Sequence, residues 1–274
     1  MASFDTFLAL HHRDAPLLLP NPWDRGSARV LAGLGFEALA TTSWGFAATL
    51  GVPDGNITGD QALDHAAEIV AAVDVPVSAD LENGFADDPE SVAKTVREAV
   101  GVGLAGCSIE DYTGDDTAPI YDAALAVERV AAAAEAAHRG PDRIVLTARA
   151  ENYLRGHRDL DDTIYRLQQF AAAGADVLYA PGLTDLADIA AVVGAVDKPL
   201  NVLLLRGGPS VAELAGAGVR RISLGGALAN VSLGALVEAG TEFLAGGADF
   251  LDRGGAGRDA VQAYFADRAA APAP

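Results

Sequence analysis

Short apolar or β-branched runs alternate along the chain with longer Ala-rich stretches in which polar residues recur at helical spacing. The runs lie at 16–20, 38–43, 75–80, 106–110, 144–149, 176–180, 199–204 and 220–224. The helical stretches between and after them include 59–72, 89–100, 122–138, 161–173, 185–193, 210–215 and 227–244. Asp88-Pro89-Glu90, Thr184-Asp185 and Pro209-Ser210 have the chemistry of helix N-termini. Ala173-Gly174-Ala175 and Ala217-Gly218-Val219 place a glycine where a helix should end before the next strand. Eight βα units in succession predict a (β/α)8 barrel of the TIM type. An open doubly wound sheet is the alternative. It usually has fewer strands, and no Gly-x-Gly-x-x-Gly follows the first run to support dinucleotide binding. No linker divides the chain, so residues 1–268 read as a single barrel domain with C-terminal helices and 269–274 as a flexible Ala/Pro tail.

Composition narrows the function more than the fold. Half of the 274 residues are hydrophobic and 21% are charged, enough to build a sizeable core. Asp and Glu outnumber Lys and Arg 38 to 19, giving a formal charge of −19. Nucleic acid and anionic membrane surfaces would be repelled, and an anionic small molecule would need a local metal ion or arginine. One cysteine, Cys107, rules out an intrachain disulfide and a multi-thiolate metal site. No apolar run approaches the roughly 20 residues of a membrane span, and the first residues carry acidic and His side chains in place of a signal peptide. A soluble cytoplasmic enzyme is the expectation.

A barrel collects its chemistry at the C-terminal ends of its strands. There the sequence places Asp80 and Glu82, two apart and so on one side of a strand, with Glu110 ending the next strand and Asp54 in the loop before strand three. Four carboxylates converging on one mouth would repel each other unless a cation sat among them. Oxygen ligation without sulfur suits Mg²⁺ or Mn²⁺, partly through waters. The plainer reading of each acid is a helix cap or a solvated side chain. Arg149 ends an otherwise apolar strand and could hold a carboxylate or phosphate bidentately, or form a buried ion pair with an acidic neighbour. No strand ends in lysine, which argues against Schiff-base chemistry. Cys107 reads as a core thiol. The breaker-rich loop 112–121 is either a lid or an ordinary surface loop.

Taken in order, several segments resemble the isocitrate lyase/phosphoenolpyruvate mutase superfamily over most of the chain. They are Thr42-Ser43-Trp44, Leu50-Gly51-Val52-Pro53-Asp54, Pro76-Val77-x-x-Asp80-x-Glu82-x-Gly84-Phe85, Gly106-Cys107-Ser108-Ile109-Glu110-Asp111 and Ala148-Arg149-x-Glu151. The resemblance implies Mg²⁺-assisted making or breaking of a C–C or P–C bond beside a 2-oxo acid carboxylate. It implies Asp80 as main metal ligand, with Glu82, Glu110 and Asp54 acting directly or through water. It makes Thr42, Ser43 and Trp44 the substrate carboxylate cradle, Arg149 the group that neutralises the 2-oxo acid or enolate, and Asn201 a contact to the distal part of the substrate. It also implies a homo-oligomer, dimer or tetramer, whose paired subunits exchange an extra C-terminal helix. Lyases of the superfamily carry Lys-Lys-Cys-Gly-His after strand four; here 112–121 holds no Lys, Cys or His. Tyr112, Asp111 and Asp115 are the candidate acid/base replacements by position. The function expected is C–C cleavage or formation on pyruvate, oxaloacetate or 2-oxoglutarate. Phosphonopyruvate-type P–C chemistry and 2-oxo acid binding without turnover are the alternatives.

Overall fold

The computed structural model describes residues 4–266. All eight runs are strands: β1 (Leu17–Leu19), β2 (Leu39–Ala40), β3 (Val77–Asp80), β4 (Gly106–Glu110), β5 (Val145–Arg149), β6 (Val177–Tyr179), β7 (Leu200–Leu203) and β8 (Arg221–Ser223). They pair in parallel in the spatial order β1-β8-β7-β6-β5-β4-β3-β2. The two ends of that order meet again. Ala40 N–H donates to Pro20 O at 3.1 Å, and Asn21 Nδ2 donates to Thr41 O at 3.0 Å, which nearly closes the barrel.

The outer ring follows from the caps in the sequence. Asp88 Oδ1 accepts from Ser91 N–H at 2.9 Å to open α5 (Pro89–Gly101), with Pro89 in the first turn. Asp185 caps α8 (Leu186–Ala195), and Ser210 with Glu213 forms a capping box on α9 (Val211–Gly216). Gly174 and Gly218 stand two residues past the ends of α7 (Leu160–Ala172) and α9, at φ +109 and +89, conformations that a side chain would resist.

Alternation along each strand separates two layers. Leu146 and Ala148 of β5 join the layer beneath the helices, together with Cys107 and Ile109 of β4. Val145 instead packs on the barrel floor with Leu17, Leu19 and Val177. Burial pushes the Cys107 thiol up to about 12, so it packs as an inert core group.

Helix α1 (Phe4–Leu10) gave no clear signal in the sequence. It plugs the floor with Phe7, and His11 just after it bonds the Phe7 carbonyl through Nδ1 at 2.9 Å. At the other end of the chain, α10 (Ala227–Leu244) is followed by the extra helix α11 (Phe250–Ala266). Helix α11 packs on α2 (Arg25–Gly33) so closely that a Cβ on Gly33 would lie 2.3 Å from Tyr264 Cδ1. The tail 269–274 lies outside the described residues. No helix among the described residues is long and apolar enough to cross a membrane.

Candidate active site

The segment Thr42-Ser43-Trp44 turns out to open a helix, α3 (Ser43–Leu50), where the sequence suggested only a strand-end loop. Thr42 Oγ1 accepts from Gly45 N–H at 3.4 Å. Only glycine fits at position 45, since a Cβ would come 2.6 Å from Thr42 Cγ2 and 2.9 Å from Trp23 Cβ. This packing points the first turn of α3, with Ser43 and Trp44, into the barrel mouth.

Asp80, at the end of β3, is the hub. Its N–H donates to Thr41 Oγ1 at 2.9 Å, and Ser43 N–H donates to its Oδ2 at 3.3 Å. Arg149 Nη1 donates to its Oδ1 at 2.9 Å. The same guanidinium gives Nε and Nη2 to Glu151 Oε1 at 2.9 and 2.8 Å, and its Nη2 lies 3.0 Å from Glu110 Oε2. Arg149 is therefore fixed by three carboxylates while still lining the cavity. Burial opposes its charge, but Glu110, Glu151 and Asp80 outweigh that and keep it firmly protonated. Burial raises Glu110 well above the usual carboxylate range, against the pull of Arg149.

Glu82 sits at φ +48, a left-handed backbone rare for a non-glycine. Burial and the charges of Asp80 and Asp54 push it up to about 8, and its Oε1 is buried without a hydrogen-bond partner. Asp54, on the loop before α4 (Gly59–Ala72), is raised by partial burial while a hydrogen bond with Ser43 opposes the shift.

Two adjoining compartments share Ser43, Asp54, Arg149 and Leu154. The inner one, about 290 Å³, runs down the barrel axis past Asp80, Trp44 and Tyr179 to Arg221. The outer one, about 610 Å³, is walled by Glu82, Glu110, Tyr112, Asp116 and Arg155. Loop 112–121 is a self-bonded hairpin over this outer space, with Tyr112 bridged to Ile120 and Thr113 N–H donating to Pro119 O at 2.9 Å. The Tyr112 hydroxyl donates to Asp116 at 2.8 Å, and the Arg155 guanidinium lies 3.4 Å from the centre of its ring. Partial burial and Asp116 raise the phenol, so it stays protonated at neutral pH.

Other sequence candidates are spent elsewhere. Asp111 is buried against Arg166 at 3.1 Å and accepts from Glu151 N–H at 2.8 Å, and Asp115 bonds Thr117 within the hairpin. Asn201 does not face the cavity. It is fully buried beneath it, its Nδ2 donating to Ser223 Oγ at 3.0 Å and its Oδ1 accepting from Arg221 Nε at 3.0 Å. Arg155 and Arg221 were not singled out in the sequence. Arg155 could have been found from its position four residues after Glu151, the spacing of a helical ion pair.

The profile of the phosphoenolpyruvate phosphomutase family matches residues 7–244. The chain belongs to that family. A crystal structure from Burkholderia cenocepacia J2315, provisionally described as a lyase/mutase, is 54% identical with a TM-score of 0.92, covering 96% of each chain. The crystal structure of 2,3-dimethylmalate lyase, a phosphoenolpyruvate mutase/isocitrate lyase superfamily member, is 31% identical with a TM-score of 0.80, covering 88% of this chain and 87% of that one. Oxaloacetate decarboxylase of Paraburkholderia xenovorans is 32% identical over 78% of this chain and 73% of its own. The barrel is thus an enzyme of the lyase and mutase superfamily.

Members of this superfamily generally use a divalent metal. Among the described residues no three Asp, Glu, His or Cys side chains converge closely enough to hold an ion by themselves. The donor set nevertheless fits a hydrated cation. Glu82 Oε1 is an orphaned buried acceptor, Asp80 Oδ2 has only a 3.3 Å contact, and burial raises both Asp54 and Glu82, a penalty on their charged forms that a bound cation would relieve. An ion that keeps several of its waters needs few direct protein ligands.

Proposed function

We propose that this phosphomutase-family barrel cleaves or forms a C–C bond in a small 2-oxo acid, with Mg²⁺ (or Mn²⁺) as cofactor. The observation that carries the reading is the junction of Asp80, Arg149 and the first turn of α3 in one cavity. Asp80 would be the principal holder of the cation, with Asp54, Glu82 and Glu110 reached directly or through water. The ion would supply polarisation of the 2-oxo group and offset the charge left when the bond breaks.

The protein's own groups do the rest. The first turn of α3, at Ser43 and Trp44, receives the substrate carboxylate, with Ser43 N–H shared with Asp80 and Thr42 fixing that turn. Arg149 cannot swing away, because Glu151 holds two of its nitrogens, so its charge stays aimed at the cavity and offsets the developing enolate. Leu154 and the 112–121 hairpin border the outer compartment and limit water entry. Tyr112 is a proton-bearing group on that rim.

The enzyme is further proposed to be a cytoplasmic homo-oligomer, dimer or tetramer, assembled through α10 and α11. In support, Val231, Leu236, Val237, Phe243, Leu244 and Leu251 leave 63–91% of their surface uncovered on these helices.

The test is thermal unfolding of metal-stripped protein with and without Mg²⁺ across a panel of 2-oxo acids. A 2-oxo acid should raise the midpoint only when Mg²⁺ is present, and Asp80→Ala should abolish that shift and turnover together. A folded protein that shows no shift with any pair, or an Asp80→Ala variant that keeps full activity, refutes the assignment.

A further inference from the structure

Arg221 lies on the barrel axis with no carboxylate in contact among the described residues. It lies on β8, is 4% exposed, and reaches the inner cavity from below. Its Nε donates to Asn201 Oδ1 at 3.0 Å and its Nη1 to Thr147 Oγ1 at 2.9 Å, both neutral acceptors. Among the described residues it makes no ion pair, and its Nη2 has no acceptor. The other buried arginines differ. Arg149 and Arg166 contact carboxylates, and Arg129 is enclosed by three backbone carbonyls. Burial and the positive charge of Arg149 pull Arg221 down to about 10, which still leaves it cationic at neutral pH. Barrel interiors are ordinarily filled by branched apolar side chains. A buried guanidinium held by two neutral groups, with a third edge free toward a cavity, is costly unless an anion completes it.

The wall above Arg221 adds to the same field. Gly225, at φ +52, and Gly226 line the cavity, and Gly226 opens the 18-residue α10 with no side chain capping its first turn. The helix start therefore presents partial positive charge toward the space that Arg221 faces. Asp80, Asp54 and the α3 turn line the same cavity, with Trp44 of that turn packed against Gly226. A ligand bound there by one carboxylate would extend toward Arg221.

We infer that Arg221 is a specificity-determining residue that receives a second, distal carboxylate, so that the substrate is a 2-oxo dicarboxylate and not a monocarboxylate. This rests on the 2-oxo acid reading proposed above. Asn201 and Thr147 are positioning residues that fix the guanidinium fork. A distal phosphonate dianion fits less well, because one guanidinium leaves half its charge unanswered in a cavity that also faces Asp80 and Asp54.

The test is isothermal titration of the full chain in saturating MgCl2 with two matched pairs. Oxaloacetate is compared with 2-oxobutanoate, and 2-oxoglutarate with 2-oxopentanoate; the members of each pair differ in a terminal carboxylate against a methyl. Pyruvate and phosphonopyruvate serve as further probes. At least one dicarboxylate should bind tenfold or more tightly than its partner, with Arg221→Gln collapsing that ratio to within threefold and Arg221→Lys retaining part of it. A role confined to stapling β5, β7 and β8 would lower stability without moving the ratio. If pyruvate binds but neither wild-type pair shows a preference, or if the preference survives in Arg221→Gln, the inference fails while the site reading stands. Phosphonopyruvate outbinding both dicarboxylates overturns the carboxylate assignment. Failure of every 2-oxo acid to bind overturns the site reading and this inference with it. Should Arg221→Gln not fold, the wild-type ratios and Arg221→Lys decide.

Discussion

The loop that carries Glu82 is held from behind by a residue far from the chemistry, and removing that residue should show how much of the site depends on it. Arg129, on α6 (Ala123–His138), is 1% exposed. Its Nη1 donates to the carbonyls of Ala86 and Asp87, each at 2.6 Å, and its Nη2 to the carbonyl of Asn83. Its guanidinium lies 4.2 Å from the centre of the Tyr121 ring, whose hydroxyl bonds Asp87. This clamp faces the turn containing Glu82 and Phe85, both at positive φ (+48 and +57), so it opposes a backbone inclined to relax. Arg129→Met keeps the length and the apolar stem but leaves three carbonyls without their donor. Bonds from a charged donor contribute about 1.5–3 kcal/mol each. Recovering the guanidinium's hydration offsets part of that sum, so the expected loss is about 3–5 kcal/mol, the range for breaking a buried charged contact. In urea unfolding the midpoint should fall accordingly, and thermal unfolding should drop by roughly 10 °C. The Mg²⁺-dependent shift with a 2-oxo acid should shrink as well, because Glu82 loses its fixed position. Arg129→Lys, which keeps the charge without the fork, should fall between. A loss below about 1 kcal/mol in Arg129→Met would refute the clamp, since it would mean that the bonds no more than balance the cost of burying the charge.

Two further outcomes follow from the structure. Burial and the charge of Arg221 depress His11 from 6.5 to about 3, so the native state holds it neutral while the unfolded chain takes up a proton below pH 6.5. Its contribution is therefore present above pH 6.5 and lost as pH falls toward 3, to a total of about 4–5 kcal/mol. His11→Gln should flatten the pH dependence of stability across that window, and parallel curves for the two proteins would refute the assignment. Leu236→Glu with Val237→Glu should convert the oligomer to monomers in light scattering; a wild-type monomer, or an unchanged assembly in the variant, would sink the proposed role of α10.

The barrel was legible because its signals are local. A run of apolar residues, a capping Asp or Ser and a glycine after several of the helices recur without needing any distant partner, as at Asp88, Asp185, Gly174 and Gly218. Helix α3 escaped because SWGFAATL has no polar stripe, and Trp44-Gly45 reads as a turn when the Trp23 packing that demands glycine is not known. Helix α1 escaped because it is only seven residues long and owes its place to Phe7 entering the barrel floor.

The site divides along the same line. Position at a strand end was enough to pick out Asp80, Glu110 and Arg149, because the fold alone brings those ends together. Which charges neutralise which is a property of three dimensions. Among the described residues Arg149 and Arg155 make ion pairs with Asp80, Glu110 and Glu151 and none with Asp54 or Glu82, so the argument for an excess of negative charge survives in reduced form. The arginines absorb Glu151, Asp80 and part of Glu110. What remains unanswered lies on the Asp54 and Glu82 side, where burial raises both carboxyls and one Glu82 oxygen has no partner. The inner end of the cavity shows the reverse imbalance, a guanidinium with no carboxylate. A negative mouth that wants a cation and a positive floor that wants an anion are complementary halves of one requirement. A ligand that joins a cation at one end to a carboxylate at the other would satisfy both at once.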